Sequence, residues 1–134
     1  MWACQASKMS IKTADDLFSL IIKIKDDYIC QYCHKPINKY SSEAREWFDC
    51  SHFIKRSRFQ TRFLERNAIA SHRFCHIEHE LDPKKHREFW IDLLGQDVVD
   101  ELTQLSNGDL PIYKSWYGGS EHLKELRSRL KELQ

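Results

Sequence analysis

Two pairs of residues, Cys30-x-x-Cys33 and His72-x-x-Cys75, share the same internal spacing. Two intervening residues let a tight turn aim both side chains at one ion. Two such turns complete the tetrahedron that zinc prefers, here three thiolates and one imidazole. With every position filled by protein the site would be structural, and its binding free energy would be folding free energy. His76 or His79 could replace His72 as the fourth ligand, and Cys50 is a spare thiol. Cys50 lies inside an aromatic, strand-like run with no partner at knuckle spacing, which argues against it. The competing reading makes Cys30 and Cys33 buried small hydrophobes and His72 a surface residue. The second pair at matching spacing decides for zinc.

A second group, Asp49, His52, Asn67, His76, His79 and Glu80, is not required by a zinc knuckle used only for structure. Beside it runs a basic stretch of Lys55, Arg56, Arg58, Arg62, Arg66 and Arg73, opposed between His52 and Arg73 only by Glu65. The whole chain carries 21 Lys and Arg against 20 Asp and Glu, a net charge of +1 that says nothing about a nucleic-acid partner. The local excess does, because Arg clamps phosphate oxygens and positions a duplex without reading its bases. A solvated loop with mixed contacts is the plainer alternative.

The elements that must position these residues follow from periodicity. Residues 1–12 read as a flexible leader. Thr13 with Asp16 resembles a helix-capping pair, and Leu17, Phe18, Ile21, Ile22 and Ile24 recur at helical spacing over about 13–26. Tyr28 to Cys33 forms a strand-like knuckle, turned by His34-Lys35-Pro36. Residues 38–46 are polar and read as a loop, 47–54 as a strand, and 55–60 show no period. From His76 the pattern turns helical. Asp82-Pro83 reads as an N-cap with Pro at the first helical position, Gly95 as a C-cap, and a further helix covers about 96–105. Ser120 opens a last helix whose Leu123, Leu126, Leu130 and Leu133 suit the core or the seam of a homodimer. The expected architecture is α+β. A small zinc-stabilised finger over about 28–81 sits in a single domain, 13–134, with an N-terminal helix and a helical part over about 82–134.

The order of strand, loop and helix, carrying His52, Asn67 and His76 in sequence between the two knuckles, resembles the HNH or ββα-metal nucleases. The resemblance can be narrowed. Asp49-Cys50-Ser51-His52-Phe53-Ile54-x-Arg56 is similar to the Asp-Ala-Gly-His-Tyr-Ile-x-Arg run of the phage NinG (Rap) recombination endonucleases. Arg62-Phe63-x-Glu65-x-Asn67 matches their Arg-Phe-x-Glu-x-Asn run. His72-x-x-Cys75-His76 stands where that family has Cys-x-x-Cys-Asn, and Leu94-Gly95-Gln96-x-Val98-Val99-x-x-Leu102 resembles its helix–Gly–helix stretch. The similarity runs from about residue 14 to the end. His72 in place of Cys keeps a zinc ligand, and His76 in place of Asn moves the site toward the commoner HNH pattern. Ser51 stands where many HNH enzymes carry a metal-binding Asp or His.

The resemblance implies divalent-metal-dependent cleavage of branched DNA during phage recombination, in the cytoplasm of a bacterial host. It implies His52 as the acceptor of the water proton, Asn67 as the residue orienting the loop, and His76 as a ligand of the catalytic ion. A neutral imidazole suits the base. Asp49 is the first choice of carboxylate for Mg²⁺ or Mn²⁺, and Glu80, one turn after His76, is the second. His79 and His86 are expected to support the site or face solvent. A non-catalytic zinc-binding adaptor for DNA or protein is the alternative.

Other classes fall away. Apolar runs such as Leu20-Ile21-Ile22 are far short of the ~20 residues a membrane helix needs. The N-terminus lacks a basic region followed by an apolar stretch, so no secretory signal is expected. Five Cys then read as reduced thiols and ligands, not as a disulfide framework.

Overall fold

A computed structural model describes residues 2–110 and 112–134, with side chains from residue 11 onward. Helix α1 spans Trp2–Lys25. It therefore starts ahead of the expected boundary at 13, and Thr13 lies inside the helix, not at a cap. No Gly or Pro interrupts this stretch, and Asp16 pairs back one turn with Lys12 at 2.8 Å. One face of α1 buries Ala14, Phe18, Ile21 and Ile22 completely or nearly so. Each of the larger three contributes about 1.5–3 kcal/mol relative to exposure. Asp27 and Tyr28, at φ of 55° and 56°, end the helix and turn the chain into the first knuckle.

The knuckle is a tight hairpin closed by an Ile29–Pro36 bridge, with His34 at φ 61° at its corner. Beyond it lie two short helices, α2 (Glu43–Glu46) and α3 (Phe59–Arg62), in stretches expected to be irregular. Four residues are barely one turn, so they leave no period to read. Strand β1 (Phe48–His52) follows α2, and strand β2 (Ala68–His72) follows a 3₁₀ turn over Glu65–Asn67. The strands pair antiparallel in the register Phe48–His72, Cys50–Ala70, His52–Ala68.

A two-stranded sheet is marginal in water unless its faces are covered. Here both are. Because successive side chains alternate, Phe48, Cys50, Ala68 and Ala70 face a cluster with Phe18, Ile21, Ile22 and Leu126. Ile69 on the other side packs with Trp90 and Val99. Ser51 and Ser71 are fully buried and hydrogen-bond to each other.

Helix α4 (Arg73–Glu80) leaves β2 without a linker. Helix α5 (Pro83–Leu94) is capped as expected by the Asp82 carboxylate, which accepts from the Lys85 N–H at 3.2 Å. Gly95, at φ 91°, separates it from α6 (Gln96–Asn107). After a 3₁₀ turn over Lys114–Gly118, α7 (Ser120–Leu133) lies against α1. Its four leucines join the cluster that covers the sheet, so the stripe is core. The fold is α+β, with seven α-helices and one two-stranded sheet among the described residues. No helix among them is long and apolar enough to cross a membrane.

Candidate functional site

The two knuckles meet because the first docks onto the free edge of β2. Ala70 donates its N–H to the Asp26 carboxylate at 2.8 Å and accepts the Gln31 N–H at 3.0 Å. This clamp brings Cys30 and Cys33 to His72, the last residue of β2, and to Cys75 in the first turn of α4. The ligand atoms of Cys30, Cys33, His72 and Cys75 all lie within 4.8 Å of one another. Cys33 Sγ is 3.3 Å from His72 Nδ1, and the Cys33 N–H points at Cys30 Sγ at 3.5 Å. Metal–ligand bonds of ~2.0–2.3 Å in a tetrahedron require separations of this order. Burial, and then the neighbouring Cys30 and Cys33 thiols, push Cys75 up to about 12. Crowded thiols ionise together only when a cation compensates their charge, and a closed Cys₃His set is consistent with structural zinc. Cys50, the spare thiol, lies outside this cluster and faces the core beside α1.

Next to this Cys₃His cluster lies an open cleft of about 1020 Å³, bordered by α1, β1, α4 and the loop after β1. Asp15, Lys23, Asp49, His52, Arg56, Arg73, His76 and Glu80 all line it. His52 ends β1 with its ring against Phe18, centroids 5.8 Å apart. Its Nε2 is 3.0 Å from the Arg62 carbonyl. A carbonyl can only accept, so Nε2 carries the proton and Nδ1 keeps its lone pair. Burial depresses the His52 pKa to about 4, so the ring is neutral at neutral pH.

Asn67 fixes the loop that carries this carbonyl. It is fully buried. Its Oδ1 accepts the Ile54 N–H at 3.0 Å, and its Nδ2 donates to the carbonyls of Ile54 and Thr61, both at 3.1 Å. One amide thus ties the start of the loop to α3, whose last residue, Arg62, holds His52. The Arg62 guanidinium is in turn locked onto Asp15 of α1, with Nε 3.0 Å from Oδ1. Asn67 therefore acts on His52 through structure, without touching it.

Asp49, His76 and Glu80 are neighbours, but they do not converge. His76 Nδ1 is 3.3 Å from Asp49 Oδ2, whereas its Nε2 is 2.8 Å from Glu80 Oε1. The carboxylates sit on opposite edges of the ring, so an ion at one ring nitrogen meets only one of them. Among the described residues, the Cys₃His set is the one group whose ligand atoms all gather at a point. The hydrogen bond to Asp49, and then that to Glu80, hold the His76 pKa above its ordinary value. Burial opposes ionisation of Asp49, but bonds from His76 and Arg73 hold it below the usual carboxylate range. Arg73 reaches Asp49 Oδ1 at 3.1 Å.

The six basic candidates divide by their partners. Arg62 is bound to Asp15, Arg66 to Glu101 of α6 at 2.7 Å, and Arg73 to Asp49. Arg56 approaches Asp15 at 3.7 Å while lining the cleft. Lys55 and Arg58 are exposed and, among the described residues, without an ion pair. His79 stacks on Tyr32 at 3.9 Å between centroids, and His86 stacks on Phe53 at 5.8 Å. Both are supports of the helical layer. His122 of α7 is buried and donates Nδ1–H to the Tyr117 carbonyl at 2.6 Å.

The sequence reading missed the contribution of α1. Asp15, Ser19 and Lys23 line the cleft at one-turn spacing on the helix, beside the apolar face they adjoin. That polar stripe was the signal that could have found them. No family model, curated protein or solved structure matches the chain.

Proposed function

We propose that the chain is a metal-dependent DNA endonuclease of the HNH type that hydrolyses phosphodiester bonds, with branched or recombination-intermediate DNA as substrate. One observation carries the reading: neutral His52, seated by a loop that Asn67 pins, opens onto the same cleft as the Asp49–His76 pair, immediately beside the Cys₃His centre. The motif resemblance to phage recombination endonucleases supplies the substrate class.

In this reading a water in the cleft gives its proton to His52 Nδ1 as its oxygen attacks phosphorus, the P–O3′ bond breaks, and the leaving 3′ oxygen takes a proton from solvent. The Nε2–H bond to Arg62 keeps the ring in the accepting tautomer and stabilises the imidazolium that forms. An approaching phosphodiester anion raises the basicity of His52 from its depressed value. His76 and Asp49 offer an imidazole nitrogen and a carboxylate on one wall, a donor set suited to Mg²⁺ or Mn²⁺. When bound there, such an ion stabilises negative charge on the phosphoryl and leaving oxygens. Arg73 would release Asp49 to it and turn to phosphate. Lys23, Lys55 and Arg56 hold the strand through its backbone.

A specific feature favours the second reading, a non-catalytic zinc-binding adaptor. Arg73 already occupies Asp49, and the carboxylates flank His76 without converging. The test is zinc-loaded protein with supercoiled, linear and four-way-junction DNA, with Mg²⁺ or Mn²⁺ added. Cleavage that His52→Ala abolishes at unchanged zinc content is the expected result. Junction binding without cleavage under either ion would establish the adaptor.

A further inference from the structure

Helix α4 presents three faces in only eight residues. Cys75 and His79 turn to the metal centre and Tyr32, whereas Arg73, His76 and Glu80 turn to the cleft. The third face, one residue further round, carries Phe74, Ile77 and, just past the helix, Leu81. All three are exposed, Phe74 to 72%. Trp47, just before β1 and 44% exposed, completes it. The Trp47 and Phe74 rings are parallel within 7°, with centroids 5.6 Å apart.

Single exposed apolar residues need no explanation, but two parallel aromatic rings beside a row of aliphatic ones form a patch. Its surroundings favour one occupant. The Arg73 guanidinium lies 5.8 Å from the Trp47 ring centre and also reaches Asp49 inside the cleft. It thus links the platform to the place where a phosphate would react. Arg45, exposed at the same end, lines the cleft as well. Flat aromatic faces flanked by cations that also serve a phosphate-binding cleft match a nucleotide strand, with bases on the rings and phosphates on the arginines. Bases paired within a duplex do not offer their faces in this way.

We propose that the outer face of α4 is a stacking platform on which an unpaired nucleotide next to the cut site rests on Phe74 and Trp47, giving the cleft a preference for DNA with unpaired bases. The inference rests on the nuclease reading for the direction of the strand, and it concerns binding, not chemistry. Ile77 and Leu81 extend the floor for a second unpaired base.

The test measures binding of zinc-loaded protein without added Mg²⁺ or Mn²⁺. The probes are a plain duplex and the same duplex with a short single-stranded flap that carries 2-aminopurine at the branch. Expected are quenching of the 2-aminopurine on binding and tighter binding of the flap. Phe74→Ala should cost the flap roughly 5- to 100-fold in affinity, while duplex binding stays within about twofold. Trp47→Ala should act in the same direction. Equal loss on both probes, or no loss on either, overturns the platform. So does a concentration-dependent dimer that Phe74→Ala or Leu81→Glu separates into single chains, because the face would then bind a second copy. If the flap binds as expected but no DNA is cut under any ion, the nuclease reading fails and the platform stands. If DNA is cut and Phe74→Ala binds normally, only the platform fails.

Discussion

His52 is a buried, neutral imidazole with a fixed tautomer. Its folded pKa of about 4 lies below the unfolded value of ~6.5. Between those limits the unfolded chain binds the extra proton, so stability falls as the pH drops from ~6.5 to ~4 and loses nothing more from this residue below that. Above ~6.5 its contribution is fully present. The whole effect is on the order of 3 kcal/mol. Histidine NMR titration of the zinc-loaded protein should therefore show one imidazole with a midpoint near 4. His52→Ala should flatten the stability–pH curve between ~4 and ~6.5. A midpoint near the ordinary value would contradict the buried, carbonyl-bound ring. The motif named this residue, but not its state. That depends on Phe18 and on the Arg62 carbonyl, neither of which a local spacing can indicate.

At the scale of elements, the first knuckle is held by bonds to the Ala70 backbone at the edge of β2, and its Cys30 and Cys33 meet His72 and Cys75. Tyr28, Tyr32 and Ile37 of the hairpin pack against the main core, and an ion bound by the four ligands would add its binding free energy to folding. Cys30→Ser should lower zinc content to well under one ion per chain and lower the melting temperature, as read by metal analysis and a thermal scan. Full zinc content in that variant would sink the four-ligand site. These elements were legible to different degrees. The matching Cys/His pairs and the long helices α5, α6 and α7 announced themselves through spacing, caps and period. Helices α2 and α3 did not, being barely one turn each, although α3 carries the carbonyl that seats His52.

The whole molecule is a thin sheet held between two helical layers, with α1 and α7 on one side and α5 and α6 on the other. Leu126, near the middle of α7, is nearly fully buried against α1 and the sheet. Leu126→Ala should cost about 2–4 kcal/mol. Denaturant midpoints should drop by the same amount at low and high protein concentration. A drop that depends on concentration would show the leucines serving a second chain. This arrangement was the part least legible in the sequence. An amphipathic stripe shows that a face is buried but not what buries it, and α7 meets α1 across nearly the full length of the chain. The same nonlocality explains the basic loop. Its excess of charge was plain to read, whereas the partners that engage Arg62 and Arg66, Asp15 and Glu101, are supplied by helices distant in sequence.

The three-faced helix α4 also limits how this chain can diverge. Consecutive residues turn by about 100°, so one inserted residue between Cys75 and His76 would carry His76 and Glu80 out of the cleft and leave the thiol in place. A deletion there would shift them the other way. Substitutions along α4 can therefore change the kind of residue, whereas a change in their number would break one face or another.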